Sequence, residues 1–173
     1  MIKLRLIAAF LVCAVTSWAQ EDGPSRALNH CEEHDDHFHA NELGLSVAPV
    51  LFNLEEEIGW GLHAHFIHRL GQSPFGIGGG AELILDEHRH QTYSFVGQWT
   101  PLPALHLVIA PGVAIEKEVE NGVEEWEKGW AVHFELVKEF GLGKLDIGPS
   151  LEYALDAHGS HYAVGVHLGI PFD

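Results

Sequence analysis

From Asn41 to Asp173 the chain alternates between bulky apolar residues and small or polar ones, and does so in eight segments. In the second segment Trp60, Leu62, Ala64 and Phe66 hold one parity while Gly59, Gly61, His63 and His65 hold the other. Leu105, Leu107, Ile109, Val113 and Ile115 stand against His106, Ala110, Gly112 and Glu116, and Trp130, Val132, Phe134 and Leu136 stand against Ala131, His133 and Glu135. In the last segment Tyr162, Val164, Val166, Leu168, Ile170 and Phe172 oppose His161, Ala163, Gly165, His167 and Gly169. A period of two puts successive side chains on opposite faces, so each segment is a strand with one greasy face.

The small parity decides which face points inward. A soluble sandwich would bury the bulky parity and give water the charged one. Here Gly and Ala accompany the charges, which suits a narrow lumen that admits only small or interlocking polar groups. The predicted fold is all-β: an eight-stranded antiparallel up-and-down transmembrane β-barrel over residues 41–173, with lipid on its bulky face. A mean hydropathy of +0.03 is compatible with an apolar exterior around a polar interior. Pro49, Pro111, Pro149 and Pro171 fall within predicted strands and cannot donate to a ladder, so bulges or strand ends are expected there.

Ahead of the strands, Lys3 and Arg5 precede the apolar run from Leu6 to Val15, followed by Ser17, Trp18 and Ala19. That order predicts a signal peptide over residues 1–19, cut before Gln20. Residues 20–40 form a His- and acid-rich leader. Removing residues 1–19 takes away Lys3 and Arg5 and no acid, leaving 7 Lys+Arg against 25 Asp+Glu, a formal −18. A chain so acidic is not a nucleic-acid binder. Cys31 is then the one cysteine, which excludes an intramolecular disulfide.

The connections differ between the two ends. Residues 69–73, 100–104 and 141–143 are short and carry Gly, Pro or Ser, whereas 53–57, 86–90, 117–125 and 156–160 are charged and longer. Short turns belong on the periplasmic side of such a barrel and long loops on the cell surface. Phe75, Trp99, Phe140 and Phe172 then fall toward the turns, and Trp60, Trp126 and Tyr153 toward the loops.

With eight segments, an even count that returns both ends to one side, and the terminal aromatic Phe172, the chain resembles the small eight-stranded bacterial outer-membrane proteins of the OmpA/OmpX barrel class. The resemblance implies location in a Gram-negative outer membrane, with leader and carboxyl terminus periplasmic. It also implies membrane lipid and the barrel-assembly machinery as partners. It does not choose among anchor, adhesin, enzyme and structural roles.

Two features exceed the scaffold. Gly61-Leu62-His63-Ala64, Ala131-Val132-His133-Phe134 and Gly165-Val166-His167-Leu168 repeat a small residue, an aliphatic, an inward His and an outward apolar residue. All three are expected on strands of one direction, which predicts a ring of His63, His133 and His167 at similar height. His65 and His106 join them as inward imidazoles, with Glu82, Glu116, Glu135 and Glu152 as inward carboxylates. Such an interior is either a hydrogen-bonded plug or a divalent-metal site suited to zinc, copper or nickel. The second feature is the leader, where His30, Cys31, His34, His37 and His39 lie among acids; tracts of this kind hold borderline metals. Further His and acid residues crowd two loops, Asp86 to His90 and Asp156 to His161, predicting a negative mouth that concentrates cations.

The expected function is that of a non-enzymatic outer-membrane barrel that binds or senses a divalent transition metal. The competing expectation is a structural or surface-interaction barrel with no ligand. A remote alternative rests on His158-Gly159-Ser160, which resembles the His-x-Ser element of the barrel lipid A deacylases, where imidazole activates a hydroxyl. The acid that should follow in that stretch is missing. An eight-stranded lumen is also too narrow for a general pore.

Overall fold

The computed structural model describes residues 39–53, 58–86, 89–120, 123–157 and 159–173. The strands are β1 (Asn41–Phe52), β2 (Ile58–Arg69), β3 (Phe75–Leu85), β4 (Gln91–Leu102), β5 (Leu105–Glu120), β6 (Val123–Lys138), β7 (Phe140–Leu142), β8 (Leu145–Asp156) and β9 (Ser160–Phe172). Each pairs antiparallel with its neighbour, β6 and β7 both pair with β8, and β9 closes on β1. The sheet is a closed ring. Among the described residues no helix is long and apolar enough to cross a membrane.

β6 and β7 are one stave. Val137 faces Ser150 and Phe140 faces Ile147, so the register runs unbroken across Glu139. The interruption falls beside Pro149, which has no N–H to give the ladder. Eight staves therefore close the ring, as the alternation predicts. Pro49 and Pro111 act in the same way: the β1–β9 ladder steps from Val47↔Val166 to Val50↔Ala163, and β4–β5 from Ser94↔Gly112 to Gly97↔Ile109, without a register change. These prolines make gaps, not bulges. A glycine flanks each gap, where a Cβ would overlap a carbonyl of the next strand: Tyr93 for Gly112, Lys138 for Gly148 and Val47 for Gly165. Pro171 lies past the last β8–β9 pair, at Gly169, and is a strand end. A register shift does occur between Trp99 and Leu102, around Pro101.

The two faces sort as the alternation requires. Leu45, Val47, Trp60, Tyr93, Phe95, Trp99, Ile109, Val113, Trp130 and Val166 are exposed on the outer face, while Glu82, His133, Glu135, Glu152 and His167 are buried. A water-soluble β-domain does the reverse. An apolar exterior of this extent belongs in hydrocarbon, and ring closure leaves no sheet edge there to desolvate. Inside, two apolar clusters flank the polar column: Ala48, Val50, Ile84 and Ala163 in one, Ile67, Val96, Val108 and Ala110 in the other.

Asn41 faces Phe172, so the first and last strands meet at one end, together with the turns at 70–74, 103–104 and 143–144. This is the turn end. Gly71 (φ 60°) and Gly143 (φ 70°) take left-handed positions in two of these turns, where glycine avoids the Cβ penalty. At the opposite, loop end, the expected loop over 117–125 is instead a continuation of the β5–β6 hairpin, with Glu118 facing Glu125 and Glu120 facing Val123. Lys117 Nζ pairs with Glu124 Oε1 at 2.5 Å, which helps to carry a sequence this charged in extended form.

Candidate metal centre

The inward parity of all eight staves delivers buried polar residues, and cross-strand register decides which of them meet. His63 faces Glu82 on β3 and Ser46 on β1, and Ser46 faces His167 on β9. His133 belongs to another row: it faces Ala154 on β8, which faces His161 on β9. Glu135 and Glu152 oppose each other directly on adjacent strands. Two carboxylates so placed repel unless cationic partners come between them.

Imidazoles stand beside both of them. His63 Nδ1 stands 3.8 Å from Glu135 Oε2 and 3.9 Å from Glu152 Oε2. His133 Nδ1 hydrogen-bonds Glu152 Oε1 at 2.6 Å and lies 3.5 Å from Glu82 Oε2. His161 Nε2 is 3.9 Å from Glu82 Oε1. One ligand atom from each of Glu82, His133, Glu152 and His161 lies within 4.8 Å of the other three. The four residues come from β3, β6, β8 and β9, so the group bridges opposite walls of the barrel.

This upper set fits a divalent ion. Zinc with imidazole and carboxylate ligands about 2.0–2.2 Å away needs donors roughly 3.3–3.6 Å apart, and the imidazole–carboxylate separations within the set, 2.6, 3.5 and 3.9 Å, bracket that range. His161 is 3 % exposed, and neither of its ring nitrogens has a hydrogen-bond partner. Glu82 Oε2 is likewise buried without one. Orphaned polar atoms at such depth are costly unless something binds them.

Below this set lie two more. His63, His65 and Glu135 form one, and Glu42, His65 and His167 the other. His65 and His167 stack with centroids 5.2 Å apart at 23°. Gly44 makes this arrangement fit, because a Cβ there would overlap His65 Nε2 and come within 2.7 Å of His167 Cε1. His167 Nδ1 hydrogen-bonds Ser46 Oγ at 3.0 Å, and its Nε2 is 3.3 Å from Glu139 Oε1. His106 Nδ1 accepts from Gln98 Nε2 at 2.9 Å, which leaves its other nitrogen facing Glu139 Oε2 at 2.8 Å. Arg69 holds Glu42 at 3.4 Å.

The expected ring of His63, His133 and His167 divides. His133 sits in the upper set, His167 in the lower, and His63 between them, its ring 6.3 Å from that of His133. Parity places all three inside; hydrogen-bonded rows wind round a barrel whose strands tilt, so equal distances from strand ends do not mean equal height. The sequence reading puts His161 on the small parity of the last segment but counts it with the loop cluster instead of the inward ligands, and it passes over Glu42 and Glu139. His161 shares the parity of Ala163 and His167, and that was the available signal. Of the leader residues, His30, Cys31, His34 and His37 lie outside the described residues, and His39 faces Asp173 Oδ1 at 3.3 Å. His158 also lies outside them. Ser46, His167 and Glu139 line up as hydroxyl, imidazole and carboxylate, but the void beside Ser46 measures about 10 Å³. That is room for about one water and no acyl substrate.

At the loop end His90 is clamped between two carboxylates. Its Nδ1 is 2.5 Å from Asp86 Oδ2 and its Nε2 is 3.3 Å from Glu116 Oε2. Burial alone would push the imidazole down, but the bonds and charges of Asp86 and Glu116 raise it to about 10. Burial likewise raises Asp86, and His90 more than offsets this, holding the carboxyl below its usual range. His90 is thus a cation with both nitrogens committed, so it repels metal ions instead of collecting them. The clamp is complete from about pH 4 to 6.5. It weakens as pH rises toward about 10, where His90 loses its proton, and as pH falls through the depressed value of Asp86. An NMR titration should find His90 still protonated at pH 8, and Asp86→Asn should return it toward an ordinary imidazole value.

No family model matches this chain, and no curated protein does. Among solved structures, the N-terminal β-barrel domain of Pseudomonas aeruginosa OprF aligns with a TM-score of 0.55 at 10% identity, over 78% of this chain and 99% of that one. The chain has the fold of an eight-stranded outer-membrane β-barrel. Neisserial surface protein A aligns at TM-score 0.47 and 7% identity, over 76% of this chain and 96% of that one. Ail, the attachment invasion locus protein of Yersinia pestis, aligns at 0.45 and 12%, over 75% and 96%.

Proposed function

We propose that the protein is a non-enzymatic barrel of a Gram-negative outer membrane that binds a divalent transition metal, zinc, copper or nickel, through Glu82, His133, Glu152 and His161. Lipid is its solvent, barrel-assembly machinery its route into the membrane, and the turn end with both strand termini faces the periplasm. One observation carries the metal reading: the four ligand atoms within 4.8 Å of one another, with neither nitrogen of His161 hydrogen-bonded. Neutral imidazole plus carboxylate is the donor set such ions prefer.

Calorimetric titration of zinc into the detergent-folded protein tests it. Binding tighter than about micromolar, roughly 8 kcal/mol, is expected, and His161→Ala should weaken it tenfold or more. An unchanged affinity in that variant would move binding to the leader residues His30, Cys31, His34 and His37. No binding at all would leave a structural or surface-interaction barrel.

A further inference from the structure

Beyond the upper set, we infer that Glu42, His65 and His167, with Glu139 beside them, form a second site for a divalent transition-metal ion, weaker than the first and next to the turn end. The three residues come from β1, β2 and β9, which are neighbours in the ring, so the ladder itself fixes their spacing. One ligand atom from each lies within 4.8 Å of the other two. His65 is 3 % exposed, and its ring centre lies 5.2 Å from that of His167. Two imidazoles on one tetrahedral zinc, with nitrogens about 2.0–2.1 Å from the ion, have ring centres about 5 Å apart.

The hydrogen bonds of His167 decide which of its nitrogens is left for an ion. Ser46 Oγ donates to Glu135 Oε1 at 3.3 Å, so toward His167 Nδ1, 3.0 Å away, it is the acceptor. Nδ1 then carries the proton of the neutral ring. A ligating imidazole commonly donates its other N–H to a fixed acceptor in this way, which sets the tautomer. Nε2 keeps its lone pair and faces Glu139 Oε1 at 3.3 Å. Glu139 is 4 % exposed, and that oxygen has no hydrogen-bond partner. Two acceptors so close repel unless a cation joins them, and their spacing lies at the lower end of the zinc donor range, roughly 3.3–3.6 Å. The void that Glu42, His65, Glu139 and His167 share leaves no room for a water molecule, which needs about 10–15 Å³. A bare ion is smaller.

The site adjoins solvent without any passage from the loop end. Arg69, Gln72, Ser73, Gln98 and Thr100 line a polar cavity of about 190 Å³ at the turns, and Gln98 also borders the void of the lower set. Arg69 Nη2 holds Glu42 Oε2 at 3.4 Å. An ion taken up by Glu42 must displace this guanidinium or sit beside it, and like charges at that range oppose binding. The lower set therefore fills after the upper.

Zinc titrated calorimetrically into the detergent-folded full chain, with bound zinc counted by metal analysis, tests the second site. The barrel should bind in two phases. Glu42 belongs to the lower set alone, so Glu42→Gln should weaken the second phase at least tenfold and leave the first; His65→Leu should do the same. Arg69→Gln should strengthen the second phase severalfold, a gain that poor folding cannot mimic. His161→Ala should weaken only the first. A second phase missing from the parent chain, or unchanged in both Glu42→Gln and Arg69→Gln, would overturn the site. A phase lost in His65→Leu yet untouched by Glu42→Gln would place the ion at His63, His65 and Glu135 and overturn it too. A single phase that follows Glu42 and Arg69 but ignores His161→Ala would keep the lower site and remove the upper.

Discussion

Replacing His133 by Ala is expected to destabilise the folded barrel by about 3–5 kcal/mol, the usual cost of stripping one partner from a buried ionic group. His133 is 4 % exposed and stands between Glu82 and Glu152, so its loss leaves two carboxylates in a dry interior with His63 and His161 nearly 4 Å away as their nearest imidazoles. Urea unfolding of the protein in lipid vesicles, followed by tryptophan fluorescence, measures the effect. Adding Glu152→Gln to His133→Ala should recover part of the loss, because it removes one of the stranded charges. A loss below about 1 kcal/mol would mean that water reaches these carboxylates and that the lumen is not dry.

The second large effect is on the outer face. Ile109 is 49 % exposed and lies between the Trp99–Leu107 row near the turns and the Val113–Trp130 row nearer the loops. Ile109→Arg should cost about 2–4 kcal/mol in lipid vesicles, since a charge near the bilayer midplane has no solvation there. In a water-soluble β-domain the same change at a half-exposed site would fall within about 0.5 kcal/mol. The comparison discriminates because no lumen contact is altered. A neutral result would take the bulky face out of the membrane.

How far the fold was legible follows from the two different distances involved. Alternation is local, so Trp60 against His63, or Val132 against His133, was readable residue by residue, and ring closure followed from eight such segments. The prolines predict bulges or strand ends, and most make only gaps because glycines beside them, such as Gly148, let neighbouring backbones close around the missing N–H. Height inside the barrel is not local. It depends on how each strand is staggered against the next, and no single segment records that. Hence the inward direction of His63, His133 and His167 was legible while their grouping was not. His161 stands on the small parity in the sequence but is counted with the loop because its surroundings are acidic and His-rich; the strand begins at Ser160, and that parity turns the imidazole inward. Of the carboxylates that complete the sets, Glu82 reaches His133 and His161 across the barrel from a non-adjacent strand, while Glu152 above and Glu42 below join from neighbouring strands whose stagger no single segment records.

The central claim is that Glu82, His133, Glu152 and His161 together hold one metal ion, and zinc-edge X-ray absorption of the zinc-loaded, detergent-folded protein tests it most directly. The expected spectrum has a first shell of four nitrogen and oxygen neighbours at about 2.0–2.1 Å with outer-shell scattering from two imidazoles, one of which disappears in His161→Ala. A first shell of oxygen alone, or an imidazole signal that survives in His133→Ala and His161→Ala but vanishes when His30, His34 and His37 are replaced, would contradict it.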